Sequence, residues 1–237
     1  MTTHLNVTTH SFTDCHAQAA ALAERVAKRL RMSLNQRGHA LLAVSGGSTP
    51  KDFFAQLSKE TLDWANVKIT LVDERWVPDT DERSNARLVK TTLLQNEAAA
   101  AKFVPLYNDA PTPEEGLAAT SRRIEELALP FDAVVLGMGD DGHTASFFPG
   151  GDHLAEALDL NGKSRVLPMH APDAGEPRIT LTLPTLLETE SLFLLVTGNK
   201  KRDLLADARL GLGAARDYPV RSVLTQLRVP VAVYWCP

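Results

Sequence analysis

The chain has 237 residues, a length that suits one large α/β domain or two small ones. Hydrophobic residues make up 44% of it and charged residues 23%, ordinary globular values that exclude disorder over most of the length. A net charge of −4 excludes a global basic field for nucleic acid or an anionic membrane. An anionic ligand must therefore be held by a few local cations and backbone N–H groups.

The chain contains two cysteines, Cys15 and Cys236, near its opposite ends. Two cysteines exclude a disulfide framework and a CxxC zinc site, and this low content favours a reducing cytosol. The first residues lack the basic start and apolar core of a secretory signal, and no apolar run is long enough to span a bilayer. We therefore expect a cytoplasmic protein with no membrane partner and no metal site.

Predicted strands and helices alternate along the chain. His4–Thr9 alternates polar and apolar residues like an edge strand, and helical spacing then runs from Ser11 to Gly38. Cys15 lies on the apolar stripe of this helix, so we expect it to pack as a small hydrophobic residue. Later strands are predicted at 40–44, 68–72, 102–106, 133–136, 165–169, 178–182, 191–196 and 229–235, and later helices at about 50, 83–94, 113–129, 201–209 and 220–227.

This alternation predicts the fold class. Strands that alternate with helices form a doubly wound, mostly parallel sheet covered on both faces, a three-layer α/β/α (Rossmann-like) sandwich. No repeat, low-complexity tract or linker divides the sequence, so we expect residues 1–237 to form a single domain.

A loop of small residues follows the strand at 40–44. It consists of Ser45, Gly46, Gly47, Ser48 and Thr49, followed by Pro50. Thr49 is a good helix N-cap and Pro50 suits the first helical position. Free N–H groups at such a helix N-terminus bind phosphate, although a tight turn would explain the same residues. The GxxxxGK[ST] spacing of a Walker A loop is absent.

The strand at 68–72 leads into Asp73, Glu74 and Arg75. In an open α/β sheet, ligands bind in the crevice at the carboxyl ends of the strands, so these charges are placed for a site. A surface ion pair explains this motif equally well. Ser84 and Asn85, near the start of the next helix, could face the same crevice.

The strand at 133–136 leads into a glycine-rich run, Gly137–His143, that contains Asp140 and Asp141. Glycines let the backbone bend and approach a ligand closely, and functional residues favour such loops. The alternative is a turn with capping Asp residues and a solvated His143. The run also fits GxGxxG, but its two carboxylates would repel a dinucleotide pyrophosphate.

Two cations, Arg178 at the start of one later strand and Lys200 after the end of another, could complete an anion pocket. Each by itself is more often a solvated charge. With them, the chain carries the segments SGGSTP, VDERWVP, LGMGDDGHTASFFPG, PRITLT and TGNKK.

Together these segments resemble the 6-phosphogluconolactonase family, from about Ala40 to the terminal VPVAVYW. The resemblance implies a Rossmann-like α/β/α fold and hydrolysis of 6-phospho-glucono-1,5-lactone to 6-phosphogluconate, without metal or cofactor, in the oxidative pentose phosphate pathway. Glucosamine-6-phosphate deaminases are similar in fold and motif but continue DGH with IAFNEP. This chain has TASFFPG, the lactonase form, with Phe147 where Leu is more usual.

A mechanism for such a reaction follows from the residue types. A lactone is an activated cyclic ester, so water can add to its carbonyl carbon when a base and oxyanion donors are present. We assign the base to His143, because imidazole accepts protons near neutral pH, and leave open whether Asp141 or Asp73 orients it. No GxSxG elbow surrounds the serines, so we expect no covalent intermediate. Substrate and phosphate binding is assigned to Ser45, Gly46, Gly47, Ser48, Thr49, Arg75, Arg178 and Lys200.

Two other functions stay open: a glucosamine-6-phosphate deaminase, and a non-catalytic sugar-phosphate sensor of the kind found in transcriptional regulators. No segment remains for a helix-turn-helix, and the acidic balance disfavours DNA. We expect the partner to be a small phosphosugar lactone and not a nucleic acid, and the protein to be a monomer or a weak homo-oligomer.

Overall fold

Strands and helices alternate along the chain in the computed structural model, which describes residues 7–172 and 174–237. The strands are β1 Val7–Ser11, β2 Ala40–Val44, β3 Val67–Leu71, β4 Asp73–Arg75, β5 Lys102–Val104, β6 Ala133–Leu136, β7 Val166–Met169, β8 Arg178–Leu181, β9 Leu192–Thr197 and β10 Val231–Cys236. The helices are α1 Cys15–Arg37, α2 Pro50–Leu57, α3 Asn85–Thr92, α4 Pro113–Glu125, α5 Leu154–Leu158, α6 Leu183–Leu187, α7 Asn199–Leu210 and α8 Val220–Thr225.

Seven of these strands form one parallel sheet in the order β1-β10-β9-β6-β2-β3-β5. The residues of β2 and β6 are all buried, which explains why both read as continuous apolar runs in the sequence. Helix α1 packs against β2, β6 and β10, and α7 packs against β9. The predicted fold class, a doubly wound, mostly parallel sheet in a three-layer sandwich, is confirmed.

The strand order reverses direction between β2 and β6. From β2 the chain proceeds outward through β3 to β5, and from β6 it proceeds outward the other way through β9 to β10. At such a reversal the loops that leave two neighbouring strands diverge and open a crevice at their carboxyl ends. The loops after Val44 and Leu136 therefore border the natural ligand site of this sheet.

Helix α1 is bounded by capping residues at both ends. The Asp14 side chain accepts a hydrogen bond from the Ala17 N–H at 2.8 Å. Gly38 closes the helix with a φ of 76°, a left-handed conformation that favours glycine. The predicted element from Ser11 to Gly38 is therefore a helix over Cys15–Arg37. Of the predicted edge strand His4–Thr9, residues 4–6 lie outside the described residues, and β1 begins at Val7.

A second sheet of three antiparallel strands, in the order β4-β8-β7, departs from the expected single sheet. The apolar patterns of β7 and β8 predict strands, but β4 has only three residues and gives no periodic signal. The pairing sets Asp73 opposite Thr180 and Arg75 opposite Arg178. This sheet thus brings a distant cation, Arg178, to the residues that follow β3.

Two short helices, α5 and α6, were not predicted from the sequence. Helix α4 ends at Glu125, whereas the sequence predicted an end near 129.

The prediction of no disulfide is wrong, because Cys15 and Cys236 form one with their Cα atoms 5.2 Å apart, so Cys15 is not merely the packed hydrophobic residue expected. The two residues are 221 positions apart in sequence, so no local pattern could pair them. Parallel pairing of β1 with β10 places Ser11 beside Trp235, which brings the start of α1 to the end of β10. Because both cysteines are in this bond, the low cysteine content no longer favours a reducing compartment.

Within the described ranges, no helix combines the length and the apolarity that crossing a bilayer requires.

We expect the Cys15–Cys236 bond to stabilise the fold by constraining the unfolded chain. Cys15→Ser should lower the free energy of unfolding by about 2–5 kcal/mol, because the bond closes nearly the whole chain into one loop. Urea unfolding of wild type and variant, each with and without a dithiol, measures this effect. The dithiol should lower only the wild-type midpoint; a midpoint insensitive to reduction would contradict the expectation.

Candidate active site

A cavity of about 190 Å³ lies at the carboxyl ends of β2 and β6, where the strand order reverses. The predicted site residues that line it are Ser45, Gly46, Gly47, Ser48, Thr49, Asp73, Arg75, His143 and Arg178. Asn85, which the sequence suggested could face this crevice, also lines it, and Lys201 is a further polar residue of the wall that was not predicted. Residues from two loops, two strands (β4 and β8) and two helices (α3 and α7) therefore share one crevice.

The loop after β2 forms one side of this cavity. The Ser45 N–H donates to the Val135 carbonyl at 2.9 Å and so extends the pairing of β2 with β6 by one residue. Gly47 adopts a φ of 97°, which favours glycine. Helix α2 begins at Pro50 as expected, but no side chain among the described residues caps it, and Thr49 forms no capping hydrogen bond.

The loop after β6 carries a paired imidazole and carboxylate on the other side. Nδ1 of His143 lies 2.6 Å from Oδ1 of Asp141, which also accepts the His143 backbone N–H at 3.1 Å. An ionised carboxylate only accepts hydrogen bonds, so Nδ1 carries a proton and Nε2 is the nitrogen that can accept another. Of the two candidate orienting acids, Asp141 is the one that contacts His143.

The His143–Asp141 pair also decides the charge of Asp141. Partial burial raises the pKa of the Asp141 carboxyl, but the hydrogen bonds and charge of His143 outweigh it and hold the pKa below its usual value. Asp141 is therefore ionised at neutral pH. A side chain at Gly139 would overlap the His143 ring and Asp141 Oδ1, so only glycine leaves room for the pair at this position.

Phe148 packs against the imidazole from a neighbouring turn. Its ring centroid lies 4.4 Å from that of His143 and 5.3 Å from the Arg178 guanidinium carbon. One aromatic ring thus contacts both the imidazole and a cation of the cavity wall, and it restricts the rotamers of each.

Asp73 holds a different set of partners from Asp141. Its Oδ2 accepts the Ser146 hydroxyl at 2.6 Å and lies 4.0 Å from Nη1 of Arg178. Burial lowers the pKa of the Arg178 guanidinium, and the charge of Asp73 partly offsets this effect. Nη2 of Arg178 donates to the Ala174 carbonyl at 2.7 Å. Asp73 therefore serves as the counter-ion of Arg178, and it keeps that cation in the wall of the cavity.

The structure does not bring Lys200 into this cavity. Lys200 lies beside a separate groove that includes Asp140, Asp203 and Tyr218. The next residue, Lys201, lines the cavity, and its Nζ donates to the Met138 carbonyl at 2.7 Å. Because α7 begins at Asn199, the two lysines project in directions about 100° apart, and the TGNKK segment alone does not say which faces the site.

Glu74 is a buried carboxylate beside the cavity that the sequence motif contained but the predicted site left out. It is 0% exposed, and this burial raises its pKa to about 7, although hydrogen bonds from Asn85, Ala86, Arg75 and Ser84 oppose the rise. Asn85, one of these donors, supplies its own side chain to the cavity wall.

No cluster of three or more His, Cys, Asp or Glu side chains suited to a metal ion occurs in residues 7–172 and 174–237.

By its fold and cavity, the chain is a doubly wound α/β protein with a His–Asp pair and several cations at the point where the strand order reverses. Its similarity to known proteins shows which family it belongs to. The model for glucosamine-6-phosphate isomerases/6-phosphogluconolactonase matches residues 13–235, nearly the whole chain. The chain therefore belongs to this family, and the resemblance in its motifs is confirmed.

Individual relatives agree with this assignment. A 6-phosphogluconolactonase of Rhizobium meliloti is 49% identical over 228 residues, 96% of this chain and 98% of the relative. One of Pseudomonas aeruginosa is 44% identical over 220 residues, 93% of this chain and 91% of the relative. A solved 6-phosphogluconolactonase structure from Shewanella baltica has a TM-score of 0.91 at 39% identity, over 98% of both chains.

A monomeric glucosamine-6-phosphate deaminase has a TM-score of 0.77 at 16% identity, over 97% of both chains. At that identity the likeness concerns the fold alone. The two activities share this architecture, so the side chains in the cavity must distinguish them.

Proposed function

We propose that this chain hydrolyses 6-phospho-D-glucono-1,5-lactone to 6-phospho-D-gluconate. The observation that carries the proposal is one cavity whose wall contains His143, oriented by Asp141, together with the cations Arg75, Arg178 and Lys201. The lactone is the substrate in the names of the relatives at 44–49% identity. A base next to an anion pocket meets the needs of a phosphorylated ester.

The phosphate end of the substrate accounts for the cations and the glycine loop. The chain has a net charge of −4, so attraction for an anion has to come from groups concentrated at the site. The N–H groups of Gly46–Thr49 and the three cations are such groups, and charge-assisted hydrogen bonds to phosphate are stronger than neutral ones. Holding the phosphate fixes the ring relative to His143 and reduces the entropy lost on reaching the reactive geometry.

His143 serves as the general base for water. As the water oxygen bonds to the lactone carbonyl carbon, its proton passes to Nε2 and the carbonyl electron pair moves onto oxygen. Collapse of this tetrahedral intermediate breaks the bond to the ring oxygen, which takes the proton back from Nε2. The new carboxylic acid then ionises and releases one proton. Ionised Asp141 stabilises the transient imidazolium through the hydrogen bond at Nδ1.

The developing oxyanion needs donors that are already in place. The N–H groups of Gly46–Thr49 and the Arg75 guanidinium belong to residues that line the same cavity and are our candidates for this role. Nε of Arg75 and Nε of Arg178 are both buried and form no hydrogen bond within the described parts of the chain.

We also place the reaction in the oxidative pentose phosphate pathway and in the cytoplasm. A phosphorylated sugar acid carries charges that oppose its passage through a bilayer, so producer and consumer of such a metabolite share a compartment.

Freshly prepared 6-phosphogluconolactone and glucosamine 6-phosphate, supplied separately, test the reaction type. We expect acid release from the lactone above the rate of a blank without enzyme, and no ammonia from the amino sugar. Ammonia release without acid release would replace the lactonase proposal by the deaminase alternative.

His143→Ala should lower kcat by about 10²–10⁴-fold, because it removes the general base, while 6-phosphogluconate still binds. His170→Ala is the matched control: His170 also bonds Asp152 through its backbone N–H and Nδ1, at 2.9 and 3.1 Å, but lies outside the cavity. Its kcat should equal that of wild type. A His143→Ala enzyme with more than about a tenth of wild-type kcat would contradict the assigned base.

Lys201→Ala should raise KM for the lactone by about 10–100-fold, since a hydrogen bond from a charged group contributes about 1.5–3 kcal/mol. Lys200→Ala, which removes the same charge one residue away, should leave KM within about twofold because Lys200 faces another groove. Steady-state kinetics of both variants measures these two KM values. A larger KM effect from Lys200 than from Lys201 would be incompatible with the arrangement described above.

A further inference from the structure

Glu74 is a carboxylate that the proposed reaction does not use, although it sits between two residues that line the cavity. Successive side chains of a strand point to opposite faces, so Glu74 points away from the cavity that Asp73 and Arg75 border. It is 0% exposed, and burying a carboxylate is costly unless hydrogen bonds compensate.

Four donors provide that compensation, and three of them belong to the start of α3. Oε1 of Glu74 accepts the backbone N–H groups of Arg75 and Asn85, both at 2.8 Å. Oε2 accepts the Ser84 hydroxyl at 3.0 Å and the Ala86 N–H at 2.7 Å. The carboxylate thus fastens the first turn of α3 to β4.

The first residue of α3, Asn85, transmits this placement to the anion-binding loop. Its side-chain amide donates to the Asp73 carbonyl at 3.0 Å and lines the cavity. A side chain at Gly46 would overlap the Asn85 amide, so Asn85 occupies the space that a larger residue at 46 would need. The position of α3 therefore determines the position of the Gly46 turn.

We propose that Glu74 is a positioning residue for the anion-binding wall of the cavity: it fixes α3 to β4 and thereby holds Asn85 against the Gly46 turn and Arg75 beside it. The inference rests on the proposed function in one respect, since it takes the anion to be the substrate phosphate. His143 and Asp141 belong to the loop after β6 and make no hydrogen bond to Glu74, Ser84, Asn85 or Ala86. Loss of Glu74 should consequently weaken binding more than it slows the chemical step.

Glu74→Gln keeps the shape of the side chain but replaces one acceptor oxygen with an amide that faces backbone N–H donors. At about pH 8, where the wild-type carboxylate is ionised, we expect KM for the lactone and Kd for inorganic phosphate to rise about tenfold. The kcat of this variant should stay within about threefold of wild type. Glu74→Asp retains the charge on a shorter side chain, so its KM and Kd should lie between those of wild type and Glu74→Gln.

Asp132→Asn is the matched control for loss of a buried carboxylate. Asp132 is also 0% exposed and accepts the Leu41 N–H at 2.8 Å together with donors from Ser33 and Arg37, but at the amino ends of β2 and β6. This variant should lower the melting temperature and leave both KM and the phosphate Kd unchanged. Unchanged values in both Glu74 variants, or an equal rise in Asp132→Asn, would overturn the proposal.

The two measurements also separate this inference from the proposed function. If wild type releases no acid from the lactone, the function is wrong, while titration of wild type and the three variants with inorganic phosphate still decides the role of Glu74. If wild type turns over the lactone and both Glu74 variants retain the wild-type KM and Kd, the role of Glu74 is wrong and the function stands.

Discussion

The parallel pairing of β2 with β6 is the interaction on which the rest of the site depends. It sets Val44 beside Val135, and the Ser45 N–H continues the ladder to the Val135 carbonyl at 2.9 Å. Beyond this bond the segments that follow β2 and β6 diverge. The first continues into the glycine loop and α2, and the second into the loop that carries His143. Because both strands are buried and their residues interlock with the core, the two loops begin at a defined separation.

The cavity concentrates positive side chains in a protein whose net charge is −4. Arg75 and Arg178 are paired neighbours across β4 and β8, an arrangement in which like charges repel. Asp73 offsets this repulsion on Arg178, and buried Glu74 lies under the same strand. A bound anion would further offset the repulsion between these two cations.

The imidazole is oriented before any ligand arrives. Asp141 fixes the Nδ1 proton, Phe148 packs on the ring, and Gly139 leaves the space that the pair needs. Such preorganisation costs little during the reaction because the groups do not have to reorient as charge develops. In our proposal, Glu74 and Asn85 orient the opposite wall of the cavity in the same way. There they hold a backbone turn, at Gly46, rather than a side chain.

Local runs of residues, each with its own turn chemistry, predict the parallel sheet, the loops at 45–49 and 137–143, and a His143 that lines the cavity. Family motifs extended this to the class of substrate. Other features follow from contacts in three dimensions: β4, β7 and β8 form a second sheet, and Cys15 bonds to Cys236. Asp141 rather than Asp73 contacts His143, and Lys201 rather than Lys200 lines the cavity. These outcomes depend on pairings between distant segments and on the starting residue of a helix, and neither leaves a periodic pattern in the sequence.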